Sequence, residues 1–340
     1  MTMLPSILTR RPVLSPIDPC PSVIILGLAV MATEPRYPEY LPVRPEGFTP
    51  TLDIPPFAAE EPGLRADPEL PELLSPKTIL KNVTPRVALL PAQRGVLVFR
   101  DQEFADIGLE RQLAIARHFG PLHKHPTMGY PKGPGPEFQV IYGDEKLGNL
   151  RDLLGPRTTY DLWHIDQTFT PNTPGLTFFW ALEVPASGGE ITAFTSLTAA
   201  YNALSPAFRE GLHRLKLLHT SASVGEIARL GQERALKEAV KTEHPLVISH
   251  PVTKEPVLFV NPTIARQVVG YKPSESDFLL GFLHDHIRSL DFSCRVSWEK
   301  GTVVVWDQRT VAHSAVPDFK EGERRHMVRI IPYGSQPQPL

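Results

Sequence analysis

The sequence predicts a mainly β fold decorated by helices, with a double-stranded β-helix, or jelly roll, as its core. Short runs rich in β-branched and aromatic residues recur along the chain and are separated by turn residues, which is typical of double-sheet β folds. Three segments with helical spacing interrupt these runs, and the sequence contains no internal repeat. At 340 residues, the chain is long enough for one large domain with a substantial core.

The folded part is predicted to begin at about residue 76. Residues 96–100 (VLVFR) form the first predicted strand, and residues 109–119 have the spacing of a helix that Gly120 ends. Further strands are predicted at residues 177–182, 246–249, 257–260, 296–298, 302–306 and 327–331. Further helices are predicted at about residues 196–214, 223–240 and 273–288.

The first fifth of the chain differs from the rest in composition. Proline makes up 37 of the 340 residues, roughly twice the usual share, and it is concentrated near the N-terminus. We therefore predict a leader or extended start over residues 1–31, an extended proline-rich arm over 32–75, and the folded domain over 76–340. The arm could pack on a partner subunit, making a homo-oligomer, or fold over its own domain.

The leader contains an apolar run at residues 23–32 (VIILGLAVMA) that is too short to span a bilayer. Arg10 and Arg11 precede it, as in a secretory signal, but several prolines interrupt the approach. Met31 offers an alternative start. We expect a cytoplasmic protein without a membrane span, with organellar or secretory targeting left open.

Charge and cysteine content exclude several classes of function. The formal net charge is −2 and no basic run stands out, so the sequence carries no electrostatic footprint for nucleic acid. The two cysteines, Cys20 and Cys294, cannot form a disulfide framework, which fits a reducing compartment.

One short motif predicts a metal site. In His164-Ile165-Asp166 the outer two residues point to the same side of an extended strand, so both could bind one ion, and His313 could supply a third ligand. Two imidazoles and a carboxylate leave half of an octahedron open, which suits non-haem Fe(II). A zinc hydrolase site with three protein ligands remains the alternative at this point.

Arg325 favours the iron alternative. An arginine on a neighbouring strand offers a planar fork of donors to a carboxylate, as a dicarboxylic keto acid needs at its far end. This combination points to 2-oxoglutarate as a co-substrate.

Several motifs, taken in order, resemble the taurine dioxygenase (TauD/TfdA) family, and in particular its fungal taurine and sulfonate dioxygenases. The likeness extends over about residues 37–332. The segments that carry it are residues 95–102 (GVLVFRDQ), 119–126 (FGPLHKHP), 163–166 (WHID), 188–192 (GGEIT), 301–309 (GTVVVWDQR), His313 and 324–329 (RRHMVR).

The resemblance implies an Fe(II)- and 2-oxoglutarate-dependent dioxygenase with a jelly-roll core. By this likeness His164, Asp166 and His313 would be the catalytic iron ligands, and Thr192 with Arg325 would bind the distal carboxylate of 2-oxoglutarate. The co-substrates 2-oxoglutarate and O2 would give succinate and carbon dioxide while the substrate is oxygenated.

The resemblance also implies a small anionic substrate, foremost a sulfonate such as taurine, which would be cleaved to an aldehyde and sulfite. Arg329 and His125, if protonated, would bind the sulfonate, with His123 as an alternative to His125. Tyr160 stands where the family has a substrate-binding Asn.

Two family patterns are altered in this chain. The segment GGEIT is one residue longer than the family's GGDT, and WDQR replaces WDNR, so that Gln308 stands at the Asn position. Other substrates for the same chemistry would be an alkyl sulfate, an aryloxyacetate, an amino acid or a biosynthetic intermediate. The alternative outside enzymes is a non-catalytic sensor of iron or 2-oxoglutarate.

Overall fold

The computed structural model describes residues 42–43, 85–125, 130–131, 133, 135–143, 162–187, 191–223, 239–316 and 323–340. The chain divides into a short unit, Met1–Pro35, and a larger compact unit, Arg36–Leu340, to which all of these residues belong. The predicted leader and nearly all of the predicted arm lie outside the described residues, so their boundaries stay predictions.

The described part of the chain contains the following elements. The helices are α1 (Pro85–Arg94), α2 (Leu109–Arg117), α3 (Leu197–Ala203), α4 (Pro206–Leu212) and α5 (Pro273–Ile287), with 3-10 turns at Phe104–Asp106 and Leu290–Phe292. The strands are β1 (Pro42–Val43), β2 (Val96–Phe99), β3 (Tyr130–Pro131), β4 (Gln139–Gly143), β5 (Leu176–Glu183), β6 (Ile191–Ser196), β7 (Lys216–Thr220), β8 (Lys241–Pro245), β9 (Val247–Ser249), β10 (Pro256–Leu258), β11 (Ala265–Val268), β12 (Ser293–Val296), β13 (Val303–Asp307), β14 (Val311–Val316), β15 (Arg325–Ile330) and β16 (Gln338–Pro339).

The larger sheet, called the major sheet below, is antiparallel with the strand order β2-β13-β5-β15-β4. Its central strand, β5, is apolar on both faces and almost entirely buried (LTFFWALE), as a strand covered on both sides must be. Strand β15 pairs with β4 so that Arg329 lies opposite Gln139. This register brings two polar side chains together inside an otherwise apolar sheet.

The minor sheet has the order β12-β6-β14 and lies against the major sheet. Large apolar side chains of both sheets fill the space between them, and each contributes about 1.5–3 kcal/mol by its burial. This inner core contains Phe179, Ala181, Val304, Trp306 and Met327 from the major sheet, and Phe194, Val296 and Val311 from the minor sheet. Two facing antiparallel sheets of this kind confirm the predicted mainly β jelly-roll core.

Both sheets are covered on their outer faces. Helix α2 and the 3-10 turn at Phe104–Asp106 pack on the major sheet, where Trp180 is a central side chain. Helices α3 and α5, together with the strands from β7 to β11, form a second apolar cluster on the minor sheet. The inner faces near one end of the sandwich carry the polar residues described below.

Most predicted elements are present, with three differences. The single helix expected over 196–214 is two helices, because Ser205 precedes Pro206 and adopts an extended conformation; a residue before proline avoids the α region, and the Ser205 side chain caps α4 instead. The strand expected at 296–298 is β12, which ends at Val296. The elements that were not predicted are helix α1 and strands β1, β3, β4, β6, β7, β8, β11, β14 and β16. Most of the helix expected at 223–240 lies outside the described residues.

Two observations concern the remaining predictions. Strand β1 pairs with β3, so Pro42 and Val43 of the predicted arm lie on their own domain. Among the helices that the structure describes, none has both the length and the apolar composition required to cross a membrane.

Candidate metal centre

His164, Asp166 and His313 come together as predicted. Their ligand atoms all lie within 4.8 Å of one another. Nε2 of His164 is 3.7 Å from one carboxylate oxygen of Asp166, and Nε2 of His313 is 3.9 Å from the other. The three groups therefore converge on one point from one side, although His313 is separated from the other two by most of the second half of the chain.

Backbone pairing explains this convergence. His164 and His313 form an isolated antiparallel bridge in which each amide donates to the other's carbonyl, at 2.9 and 2.8 Å. His313 lies on β14 opposite Phe194, so its ring faces the inner core. Nδ1 of His164 donates to the carbonyl of Leu162 at 2.7 Å, so Nε2 is the ring nitrogen that faces Asp166 and can bind a metal.

Asp166 is buried and held as a carboxylate by several partners. Gln308 donates to Oδ2 at 2.6 Å, and Arg329 donates to both carboxylate oxygens at 3.0 and 3.1 Å. Burial alone would raise the pKa of Asp166, but the Arg329 charge, the two neighbouring imidazoles and the Gln308 hydrogen bond hold that pKa well below its ordinary value. Burial, followed by His164, lowers the pKa of His313, so this ring is neutral, as a metal ligand must be.

The turn between β13 and β14 positions Gln308. Its two neighbours in sequence, Asp307 and Arg309, pair with each other. The fully buried Asp307 carboxylate accepts hydrogen bonds from Nε and from a terminal nitrogen of the Arg309 guanidinium, at 2.9 and 2.7 Å. His250 contacts the same carboxylate at 3.1 Å. Asp307 and Arg309 thus anchor the turn on one side, and the side chain of Gln308 reaches Asp166 on the other.

The segment that carries the first two ligands is held from behind by Asn261. Its amide nitrogen donates to the carbonyl of Ile165 at 2.7 Å and to the hydroxyl of Thr168 at 2.8 Å. The same hydroxyl contacts Nδ1 of His219 at 2.7 Å. These groups are all buried, so the ligand segment rests on a polar support rather than on solvent.

Arg329 belongs to a second polar chain that leads away from the centre. Its Nε donates to Oε1 of Gln139 at 2.9 Å, and Nε2 of Gln139 lies 2.8 Å from Nδ1 of His123. A guanidinium only donates, so the Gln139 oxygen faces Arg329 and its NH2 group donates to His123. His123 must then accept at Nδ1 and carry its proton on Nε2.

His123 and His125 lie next to each other, with ring centroids 6.0 Å apart. His123 is fully buried, whereas His125 is partly exposed. Burial and the Arg329 charge lower the pKa of His123 to about 3, and burial, His123 and Arg329 lower the pKa of His125 well below its ordinary value. Both rings are neutral near pH 7, so the protonated His125 considered from the sequence is not what this environment favours.

Thr192 and Arg325 lie on opposite sheets. Thr192 is opposite Ala315 on β14, two residues beyond His313, and its hydroxyl accepts a 3.0 Å hydrogen bond from the indole of Trp298. The hydroxyl proton therefore remains available for a ligand. Arg325 begins β15; burial and the nearby Arg329 lower its pKa to about 9, so this guanidinium is still charged at neutral pH.

The charge and donor set of the site favours an anion beside a metal. Two like-charged guanidiniums on one strand repel each other, and one of them, Arg329, pairs with Asp166. Two neutral imidazole nitrogens and one carboxylate oxygen fit a divalent transition metal with open positions. Tyr160 lies outside the described residues, so its predicted role remains a prediction.

Sequence reasoning missed three groups of this site. Gln308 stood within a recognised motif, but the sequence does not reveal that its amide faces Asp166. Gln139 and Asn261 carried no signal, because each acts through a contact that only the folded chain creates.

Comparisons with known proteins agree with this geometry. The family model described as "Taurine catabolism dioxygenase TauD, TfdA family" matches residues 63–331. An alpha-ketoglutarate-dependent dioxygenase of Penicillium expansum, cnsM, is 40% identical over 338 residues, covering 91% of this chain and 92% of that protein. The alpha-ketoglutarate-dependent sulfonate dioxygenase of Saccharomyces cerevisiae is 34% identical over 89% of this chain and 79% of that protein.

A solved structure is similar as well. The crystal structure of a taurine dioxygenase from Burkholderia xenovorans superposes with a TM-score of 0.60 at 29% identity, covering 83% of this chain and 86% of that one.

Proposed function

This chain belongs to the TauD/TfdA family and is an alpha-ketoglutarate-dependent dioxygenase, and we propose that it oxygenates a small anionic substrate, foremost a sulfonate. The reaction would consume 2-oxoglutarate and O2 and release succinate and carbon dioxide. Hydroxylation of the carbon bonded to sulfur would be followed by loss of sulfite, which leaves an aldehyde.

In this proposal His164, Asp166 and His313 hold Fe(II). When bound, the iron supplies the activation of dioxygen that the protein's own side chains cannot provide. The residues of the chain orient its ligands: the Leu162 carbonyl fixes the tautomer of His164, and Gln308 fixes the Asp166 carboxylate.

Arg325 and Thr192 bind the distal carboxylate of 2-oxoglutarate. The Arg325 guanidinium offers two parallel donors, which match the two oxygens of a carboxylate. The Thr192 hydroxyl accepts from Trp298 and so directs its own proton toward a third group. A charged donor and a neutral donor thus meet one anion from the two facing sheets.

Arg329 and His125 bind the anionic end of the substrate. Arg329 supplies the positive charge, since His125 is neutral and contributes only an N–H donor. Gln139 keeps Nε of Arg329 directed to one side, so that the terminal nitrogens face the metal ligands. The substrate anion would therefore be held close to the open side of the metal.

One observation carries the proposal: two charged arginines lie on the same strand, and one of them directly contacts the metal-binding carboxylate. A zinc hydrolase needs a water beside its metal and binds one substrate, so its reaction does not by itself require two anion-binding groups. A reaction that joins an anionic co-substrate and an anionic substrate at one metal needs both.

The test is a turnover experiment with paired products. Purified protein is loaded anaerobically with Fe(II) and 2-oxoglutarate, and oxygen is then admitted in the presence of sulfonates, alkyl sulfates or carboxylates while succinate and sulfite are measured. We expect equal amounts of succinate and sulfite with a sulfonate, and neither above background in D166A. Substrate-dependent succinate without sulfite would replace the sulfonate by another anion, and no stimulated succinate with any compound would overturn the proposal.

A further inference from the structure

We infer that Gln167, with His123 beside it, contacts the substrate and selects molecules that carry a hydroxyl group in addition to their anionic group. This inference rests on the proposed function, because it concerns the substrate of the same site. Gln167 directly follows the metal-ligand candidate Asp166 and is only 4% exposed. It is therefore a buried polar side chain at the edge of the metal centre, beside His123.

The backbone of Gln167 is unusual. Its φ is +46°, in the left-handed region that residues with a Cβ rarely adopt. Its carbonyl accepts hydrogen bonds from the amide and the hydroxyl of Thr170, at 3.1 and 2.9 Å, which close a tight turn just after Asp166. Such strain persists where the surrounding structure requires it, and it is concentrated at binding sites.

The Gln167 amide lacks satisfactory partners. Its oxygen and Nε2 of His123 face each other as acceptor and donor, but among the described residues this contact lacks the geometry of a full hydrogen bond, and the amide nitrogen makes none. A buried amide without partners is unfavourable compared with a methionine of nearly the same shape. These three polar atoms can be satisfied by a polar group of a ligand.

The polarity of these atoms identifies that group. His123 presents a donor at Nε2, because Gln139 donates to its other ring nitrogen. Gln167 presents both an NH2 donor and a carbonyl acceptor. A hydroxyl can accept from the donors and donate to the carbonyl. An ammonium can only donate, so it could use the Gln167 carbonyl but would face the His123 N–H and the nearby charge of Arg329.

The experiment compares three sulfonates that differ in one group: ethanesulfonate, 2-hydroxyethanesulfonate and 2-aminoethanesulfonate. Dissociation constants are measured by calorimetry on protein loaded with Mn(II) and 2-oxoglutarate without oxygen. The wild type should bind the hydroxy compound roughly 3- to 10-fold more tightly than ethanesulfonate, as expected for one or two neutral hydrogen bonds, and the amino compound less tightly than the hydroxy compound.

Variants assign the preference to Gln167. In Q167M the dissociation constants for ethanesulfonate and 2-hydroxyethanesulfonate should become equal. Q267M carries the same substitution at an exposed position of β11 and should behave as the wild type. If Q167M does not fold, Q167N gives the same test, since asparagine tolerates the left-handed backbone and its shorter amide withdraws from the ligand.

The outcomes separate the two proposals. Equal binding of ethanesulfonate and the hydroxy compound by the wild type, or an undiminished preference in Q167M, would overturn the role of Gln167 and leave the sulfonate proposal standing. If none of the three sulfonates binds, both the sulfonate proposal and the role of Gln167 are overturned.

Discussion

Gln308 holds Asp166 at two points. Its amide nitrogen donates to Oδ2 of the carboxylate at 2.6 Å, and its amide oxygen accepts from the backbone N–H of Asp166 at 3.1 Å. The same nitrogen also donates to the hydroxyl of Thr177 at 2.7 Å, so the amide itself cannot turn without losing several hydrogen bonds. The carboxylate is therefore fixed in orientation by a residue that is not a ligand candidate.

Replacing Gln308 should weaken metal binding. In Q308L the Asp166 carboxylate loses its fixed orientation, and groups that orient a metal ligand typically change metal affinity by about 10- to 100-fold. Q308N has the family's residue, which keeps an amide but is one methylene shorter. Its metal affinity should lie between those of the wild type and Q308L. Calorimetry with Mn(II) measures the effect, with Q267L on exposed β11 as the matched control. Unchanged affinity in Q308L would show that Asp166 is oriented by other groups.

Arg325 should determine affinity for 2-oxoglutarate. Removing a charged hydrogen bond costs about 1.5–3 kcal/mol, so R325M should raise the dissociation constant for 2-oxoglutarate by roughly 10- to 150-fold. R325K should recover part of this, because lysine keeps the charge but not the planar fork. Binding is measured on the Mn(II)-loaded protein without oxygen.

The adjacent Arg324 provides the control for this prediction. Its guanidinium lies 3.5 Å from the Glu183 carboxylate and has no place in the proposed site. R324M should therefore bind 2-oxoglutarate as the wild type does. Wild-type affinity in R325M would assign the co-substrate to another group.

His125, rather than His123, should contact the anionic end of the substrate. H125A removes one neutral donor and should weaken ethanesulfonate binding by roughly 3- to 10-fold without changing metal affinity. H123F should leave ethanesulfonate binding intact and instead lower the free energy of unfolding by about 1–3 kcal/mol, because the Gln139 amide loses its buried acceptor. Calorimetry and urea unfolding measure the two effects, and the reverse pattern would exchange the roles of the two histidines.

Asp307 should make the stability of the protein depend on pH. Burial opposes ionisation of Asp307, but Arg309 and His250 hold its pKa well below the ordinary value. A pKa that is lower in the folded state gives a stabilisation that is complete above the unfolded value of about 3.9 and is lost as the pH falls further. D307N leaves the buried Arg309 without its carboxylate partner, so the free energy of unfolding should fall by about 3–5 kcal/mol at pH 7.

Urea unfolding at pH 7, 5 and 3.5 measures this dependence. The difference in the free energy of unfolding between the wild type and D307N should be constant from pH 7 to 5 and should become smaller at pH 3.5. D285N is the control, because the Asp285 carboxylate pairs with Arg288 in a largely exposed position and should contribute little at any pH. A difference that does not change with pH would mean that Asp307 acts through packing.

The sequence determined the reaction class of this protein and predicted its metal-ligand set. The spacing of His164 and Asp166, the distant His313 and the arginines near the end of the chain were all readable, because metal and anion binding require particular side-chain chemistry. The long apolar strands and the amphipathic helices were also readable, since burial imposes a regular period on the residues. The short strands β6 and β14, which carry Thr192 and His313, were not predicted from the sequence.

Only the tertiary structure decided how these residues are held. Gln308, Gln139 and Asn261 act through hydrogen bonds to residues far away in sequence, and such contacts leave no local pattern. The same applies to protonation: the neutral state of His125 follows from burial and from neighbouring charges that the fold brings together. Ligand identity is a local chemical property, whereas orientation, charge state and the unsatisfied amide of Gln167 depend on which distant groups share a buried site.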